Sequence, residues 1–187
     1  MLFSEWYSDH LRTGTPTPES MTLATTGPNG APSARIVLLR RHDRNGFVFF
    51  TNYLSRKGTE IGANPAAALL FHWPLLERQI RIEGIAAKIS PEESDDYFAS
   101  RDRDSQIGAW ASHQSAPIGS RRDLEKEFAR YAKEFTGIAV PRPPHWGGIL
   151  IRPHTFEFWQ GRPARLHDRI LFTAARDGGW TVSRLAP

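Results

Sequence analysis

Between residues 34 and 58, two apolar runs and a polar turn lie so close together that the chain has few ways to arrange them. Ile36, Val37, Leu38 and Leu39 form the first run, flanked by Arg35 and Arg40. Phe47, Val48, Phe49 and Phe50 form the second, entered through Asn45 and Gly46. Asn-Gly between two strand-like runs predicts a type I′ hairpin, whose two central residues both take positive φ. With Asn45 and Gly46 as the loop, counting outward pairs Arg44 with Phe47, Asp43 with Val48 and finally Arg40 with Thr51. Just beyond, Ser55 is placed to N-cap a short helix ending near Asn64 and Pro65. The N-terminus of a helix offers unpaired N–H groups and a partial positive charge. With Arg40, Arg56 and Lys57 around it, the stretch reads as a phosphate cradle at the mouth of a small sheet. An Arg-Lys pair in an ordinary solvated loop is the alternative.

The remaining chain supplies strands and helices around this centre. Leu2, Phe3, Trp6, Tyr7 and Leu11 recur at helical spacing and predict an amphipathic first helix, followed by a linker over residues 13–20. Residues 21–26 read as a strand and 27–30 as its turn. Residues 66–73 have the continuous apolar character of a strand buried on both faces. In 79–83, Ile80 and Ile82 alternate with Gln79, Arg81 and Glu83, whose polar face either meets solvent or lines a wet ligand site. Ser90, Pro91 and Glu93 form a helix-start signal. After it, residues 100–106 are uniformly polar, as in a solvated loop whose Arg and Asp residues pair. Tyr97, Arg101 and Ser105 can nevertheless converge there, offering a phenol, a guanidinium fork and a hydroxyl to a second phosphate-sized anion. Residues 120–135 predict a further helix with Leu124, Phe128, Tyr131 and Phe135 as its core stripe. Strands over 148–151, 155–159, 169–173 and 180–185 close the chain.

Seven or eight strands joined by hairpin turns, with inserted helices, favour an antiparallel barrel in a mainly β, α+β chain over a parallel sheet. The Gly-x-Gly-x-x-Gly run of a dinucleotide fold is missing. So are cysteines, which removes thiolate metal sites and thiol nucleophiles, and the seven histidines lack the close spacings of a zinc site. No metal is expected, and redox chemistry would need an organic cofactor. The net charge of +4, carried by 20 arginines and four lysines without a basic run, gives little support to nucleic-acid binding. Apolar runs far short of a membrane span, and no secretory leader pattern, lead to the expectation of a cytoplasmic protein.

Several motifs, taken in order, resemble the pyridoxine/pyridoxamine 5′-phosphate oxidase family. They are Arg35 to Leu39; Phe50, Thr51 and Asn52 with Ser55, Arg56 and Lys57; Leu76 to Gln79; Ser100 and Arg101 with Asp104 to Trp110; Gln114 and Ser115; Glu157 to Gly161; Arg165 to Arg169; and the terminal Arg184 to Pro187. The resemblance covers nearly the whole chain and implies one FMN-binding split-barrel domain over 1–187. In it, residues 1–20 form an N-terminal helix and linker, and strands in 162–187 complete the site. It further implies a homodimer with an FMN in each of two interface clefts. The family's flavin contacts fall on Arg35, Ile36, Val37, Leu38, Leu39, Arg40, Phe50, Thr51, Arg56, Lys57, Gln79, Gln114, Ser115, Trp159 and Arg169. Its substrate contacts fall on Arg40, Tyr97, Arg101, Ser105, Arg165, Leu166 and His167, of which Arg165 and His167 are the expected catalytic pair.

The implied reaction oxidises pyridoxine or pyridoxamine 5′-phosphate to pyridoxal 5′-phosphate, with hydride passing to flavin N5 and dioxygen returning as hydrogen peroxide. A flavin oxidase of another ring substrate, as in phenazine pathways, and a non-catalytic flavin- or pyridoxal-phosphate-binding protein are the alternatives. Two departures from the family pattern stand out. Arg40 replaces the usual lysine, which keeps the charge but changes its geometry. The sequence also starts almost at the first helix, without the longer leading segment that covers the substrate in some members, so closure over the substrate is expected to differ.

Overall fold

Short-range signals set the helices of the computed structural model, which describes residues 2–187. Helix α1 (Leu2–Leu11) buries Phe3 completely, whereas Leu11, expected in the same apolar stripe, faces solvent. Helix α2 (Arg56–Ala63) begins as predicted, with Ser55 Oγ accepting from the Gly58 N–H at 3.3 Å. A full capping box between Ser90 and Glu93 starts α3 (Pro91–Ala99). Helix α4 (Arg103–Ala111) corrects the solvated-loop reading of residues 100–106. The Asp102 carboxylate accepts from the Ser105 N–H at 2.8 Å, a cap worth about 1 kcal/mol that converts a charged run into a helix start. Ser120 caps α5 (Arg121–Glu134). Of the stripe assigned to its core, Phe135 is buried, but Leu124 remains 39 % exposed because the helix packs only its C-terminal half against Trp110.

Among the described residues, nine antiparallel strands make up the sheet: β1 (Ser20–Thr26), β2 (Pro32–Leu38), β3 (Arg41–Asp43), β4 (Gly46–Asn52), β5 (Ala66–Trp73), β6 (Arg78–Lys88), β7 (Trp146–Gln160), β8 (Asp168–Ala174) and β9 (Trp180–Arg184). Their order is β2-β1-β5-β6-β7-β4-β3, with β8 paired to the second half of β7 and β9 paired to β8. Two expected strands, 148–151 and 155–159, are therefore one. Strand β7 bridges β4 on one side and β8 on the same edge further along, bending where β6 carries a register shift between Glu83 and Gly84. A Cβ on Gly84 would sit 2.3 Å from the Arg152 carbonyl oxygen, so this close approach requires glycine. Strand β5 alternates buried and exposed positions; it is buried on one face, not on two.

The expected central hairpin is corrected most. Strand β2 pairs with β1 along its whole length, Arg35 opposite Leu23, and does not pair with β4. The hairpin is the short β3–β4 unit, with Arg41 opposite Val48, His42 opposite Phe47 and Asp43 opposite Gly46. Its loop is thus Arg44 and Asn45. The Asp43 carboxylate accepts the Asn45 N–H at 2.7 Å, and Gly46 serves the close crossing over Ile151. Arg40 consequently never reaches Thr51; it pairs with Glu19 at 3.5 Å. Residues 36–38 belong instead to the hairpin that the turn at 27–31 makes with β1, a local pairing that the Asn45-Gly46 signal does not indicate.

The curled sheet encloses a core of Phe3, Leu23, Phe47, Phe49, Leu69, Phe71, Trp73, Ile80, Ile82, Ile149 and Ile151. Helices α3 to α5 cover a second cluster around Phe98, Ile107, Phe135 and Trp146. Fully burying one such phenylalanine contributes roughly 1.5–3 kcal/mol. Strands β2 and β4 approach each other without pairing, which leaves the barrel split along one seam.

Candidate functional site

A cavity of about 450 Å³ opens at that seam, within the usual range for small-molecule sites. Its walls come from β2 (Ile36, Val37, Leu38), from β4 (Phe50, Thr51, Asn52), and from α3 and α4 with the loop that follows (Tyr97, Arg101, Ser105, Gly108, Ala109, Ser112, Gln114); Arg40, Lys57 and Trp146 complete it. Three aromatic rings form one side in near-parallel array, Phe50 on Tyr97 at 3.7 Å and 15° and Phe50 on Trp146 at 5.3 Å and 16°.

Two cations at this cavity have no carboxylate partner among the described residues. Lys57 Nζ, in the first turn of α2, reaches only neutral oxygens: Thr51 Oγ1 at 3.3 Å, Gln114 Oε1 at 3.3 Å and Ser55 Oγ at 3.4 Å. Burial, and then the charge of Arg35, pull its ammonium below the usual lysine value. The Arg101 guanidinium lies over the Trp146 ring at 4.7 Å, and its Nη1 is buried without a hydrogen-bond partner. Desolvation pulls Arg101 below the ordinary arginine value as well. An unsatisfied buried donor costs about 1–3 kcal/mol, so a cation kept in this state is set for an anion.

Not all the predicted residues meet here. Arg35 and Arg56 turn to Glu60, and Leu39 is buried in the core. Ser115 follows Gln114 in a left-handed conformation, φ 73°, outside the cavity lining. The others form a separate group. Gln79, Trp159 and Arg169 stand in register across β6, β7 and β8, and the His167 ring lies 4.6 Å from Trp159. Arg165 ends a short turn, Pro163–Arg165, and Leu166 follows it; Ala164 and Arg165 both have positive φ, a strained arrangement for residues with side chains. His167 Nδ1 accepts the Arg162 N–H at 3.2 Å. None of this second group lines the cavity of the same chain.

Sequence reasoning missed the carboxylates behind these cations. Buried Glu157 accepts from Arg169 at 2.8 Å and from Arg81 at 3.1 Å, and it holds Arg169 above the usual arginine value. Buried Glu60 accepts from Thr25 at 2.5 Å, Ser33 at 2.7 Å, Arg35 at 2.9 Å and Arg56 at 2.9 Å. Those donors, Thr25 and Ser33 foremost, hold its carboxyl at about 2. Because the folded-state pKa is depressed, the stabilisation is complete above the ordinary glutamate pKa and is lost as pH falls towards 2. The spacing of Arg56 and Glu60 on one helix face was the available signal.

The fold and the cavity together define a split antiparallel barrel with two uncountered cations in its seam. Residues 7–134 match the family model described as pyridoxamine 5′-phosphate oxidase, and residues 146–187 match the pyridoxine 5′-phosphate oxidase C-terminal dimerisation region. The chain belongs to the pyridoxine/pyridoxamine 5′-phosphate oxidase family and is an enzyme of that family. It is 57 % identical over 187 residues to the pyridoxine/pyridoxamine 5′-phosphate oxidase of Burkholderia multivorans, covering 99 % of this chain and 87 % of that protein. The corresponding enzyme of Rubrobacter xylanophilus is 56 % identical over 186 residues, with 99 % and 85 % covered. Among solved structures, PhzG from Burkholderia lata 383, in complex with tetrahydrophenazine-1-carboxylic acid, aligns with a TM-score of 0.93 at 30 % identity, over 100 % of this chain and 91 % of that one. A pyridoxamine 5′-phosphate oxidase-related, FMN-binding protein from Nostoc punctiforme shares the fold, with a TM-score of 0.78 at 18 % identity, over 98 % and 95 %. Among the described residues, no helix is long and apolar enough to cross a membrane.

Proposed function

We propose that this chain oxidises pyridoxine 5′-phosphate and/or pyridoxamine 5′-phosphate to pyridoxal 5′-phosphate, with FMN as cofactor and dioxygen as the final acceptor. The observation that carries the reading is the pair of uncountered cations, Lys57 and Arg101, in one aromatic-walled cavity. A flavin mononucleotide and a phosphorylated pyridine each bring one phosphate and one flat ring. Bound FMN would supply the chemistry, accepting a hydride from the substrate and passing the electrons to dioxygen as hydrogen peroxide.

Lys57, Thr51 and Gln114, with Arg35 and Arg56 nearby, would hold the flavin phosphate. Ile36, Val37 and Leu38 would flank the ring, and Arg101, Tyr97 and Ser105 would grip the substrate phosphate. Binding both groups in one walled space lets this chain act chiefly through orientation and exclusion of water. Arg40 lines the same cavity but shares its charge with Glu19, so it is assigned a secondary part in phosphate contact.

The row of Gln79, Trp159 and Arg169, with Arg165, Leu166 and His167, forms the other half of the proposed site. It stands apart from the cavity within one chain, and it lies largely in the segment matching a dimerisation region. A homodimer in which strands of residues 162–187 of one chain face the partner's cavity would unite the halves, with residues 1–187 acting as one functional unit. Exposed Leu166, Trp180 and Val182 fit such a covered surface. In the joined site, Arg165 would hold the pyridine ring and His167 would hydrogen-bond a ring substituent or move its proton. A cytoplasmic location is part of the same proposal.

The likeness to PhzG favours one other reading, oxidation of a carboxylated ring. Aerobic peroxide release separates the two. Pyridoxine 5′-phosphate is expected to give peroxide and unphosphorylated pyridoxine almost none. Equal rates with both would overturn the phosphate assignment.

A further inference from the structure

We propose that Glu60 is a positioning residue for the anion cradle at the start of α2, acting through Arg35 and Arg56; the proposal rests on the reading of that cradle as the FMN phosphate site. Glu60 lies in the second turn of an eight-residue helix, yet its side chain is only 6 % exposed. Its two oxygens are used differently. Oε2 gathers the hydroxyls of Thr25 and Ser33 and Nη2 of Arg35, tying β1 and β2 to the helix. Oε1 takes only Nε of Arg56, one turn earlier on α2.

The consequence for each arginine follows from which nitrogens are used. Arg35 is locked at both ends of its fork: Nη1 donates to Thr25 Oγ1 and the Leu23 carbonyl, and Nη2 donates to Ser33 Oγ as well as to Glu60. Thr25 and Ser33 thus accept from Arg35 while donating to Glu60, which closes the network. Arg56 is held by its inner nitrogen alone. Its two terminal nitrogens make no hydrogen bond among the described residues, and its side chain is 65 % exposed. A guanidinium fixed at Nε with its outer edge free is pre-set to receive an oxyanion without first losing side-chain freedom.

Glu60 thus fixes the two guanidinium groups beside Lys57.

The test compares FMN with riboflavin, which lacks the phosphate, by flavin-fluorescence titration of apoprotein from wild type, Glu60→Gln and Ser33→Ala. Glu60→Gln is expected to weaken FMN binding at least tenfold while riboflavin binding changes less than twofold. Ser33→Ala, a smaller perturbation of the same network, is expected to move the FMN-to-riboflavin preference in the same direction and supplies the measurement if Glu60→Gln does not fold. Equal weakening of both flavins would assign Glu60 to the scaffold, and unchanged FMN affinity would remove it from the cradle; either overturns the proposal. A wild-type protein that binds riboflavin as tightly as FMN would instead overturn the phosphate site itself.

Discussion

Lys57→Met is expected to strip the protein of its flavin, weakening FMN binding roughly 10- to 100-fold, the scale of one lost charge-assisted hydrogen bond. Methionine keeps the length and the apolar stem of the side chain but removes the ammonium. Lys57 reaches only Thr51, Ser55 and Gln114, all neutral, so no carboxylate is left stranded by the change. Thermal unfolding should therefore stay within a few degrees of wild type, while fluorescence titration of the apoprotein reports the lost affinity. Riboflavin, which has no phosphate for the ammonium to grip, should bind both forms alike.

Arg101→Met carries the second large effect and separates the two anion positions. The KM for phosphorylated substrate should rise about 100-fold, with FMN affinity unchanged. Stability should hold or increase, because the wild-type guanidinium is buried with Nη1 unpartnered and methionine removes that cost while its stem still covers Trp146. A residue whose removal stabilises the fold but abolishes substrate capture is kept for binding. Loss of flavin in place of substrate would show the two pockets to be assigned in reverse. Steady-state kinetics at saturating FMN, beside a melting curve, decides it.

Much of this was legible in the residues because the signals were local. Ser55 and Ser90 each cap a helix as their side-chain chemistry suggests, and the alternation through Ile80 and Ile82 marks an inward strand face that is fully buried. The Tyr97, Arg101 and Ser105 spacing likewise reached a shared cavity, since α3, the bend after it and α4 are contiguous.

Pairing and long-range choices were not legible. Residues 36–38 could pair with either sequence neighbour by pattern; the Asn45-Gly46 signal pointed to β4, whereas the turn at 27–31 returns them to β1. The brace from Glu60 joins three elements up to 35 residues apart, so only the folded chain displays it. The scatter of the predicted site into a cavity and a distant strand row had the same origin, because strand neighbours are fixed by the sheet and not by the order of motifs.

Crystals grown with FMN and pyridoxal 5′-phosphate test the central claim most directly. Two separate phosphates are expected in one cavity, the flavin phosphate hydrogen-bonded to Lys57 and the pyridoxal phosphate to Arg101, with Trp159 and His167 of the partner subunit closing the ring side. Both phosphates at a single cation, or either ligand bound away from the β2–β4 seam, would contradict it.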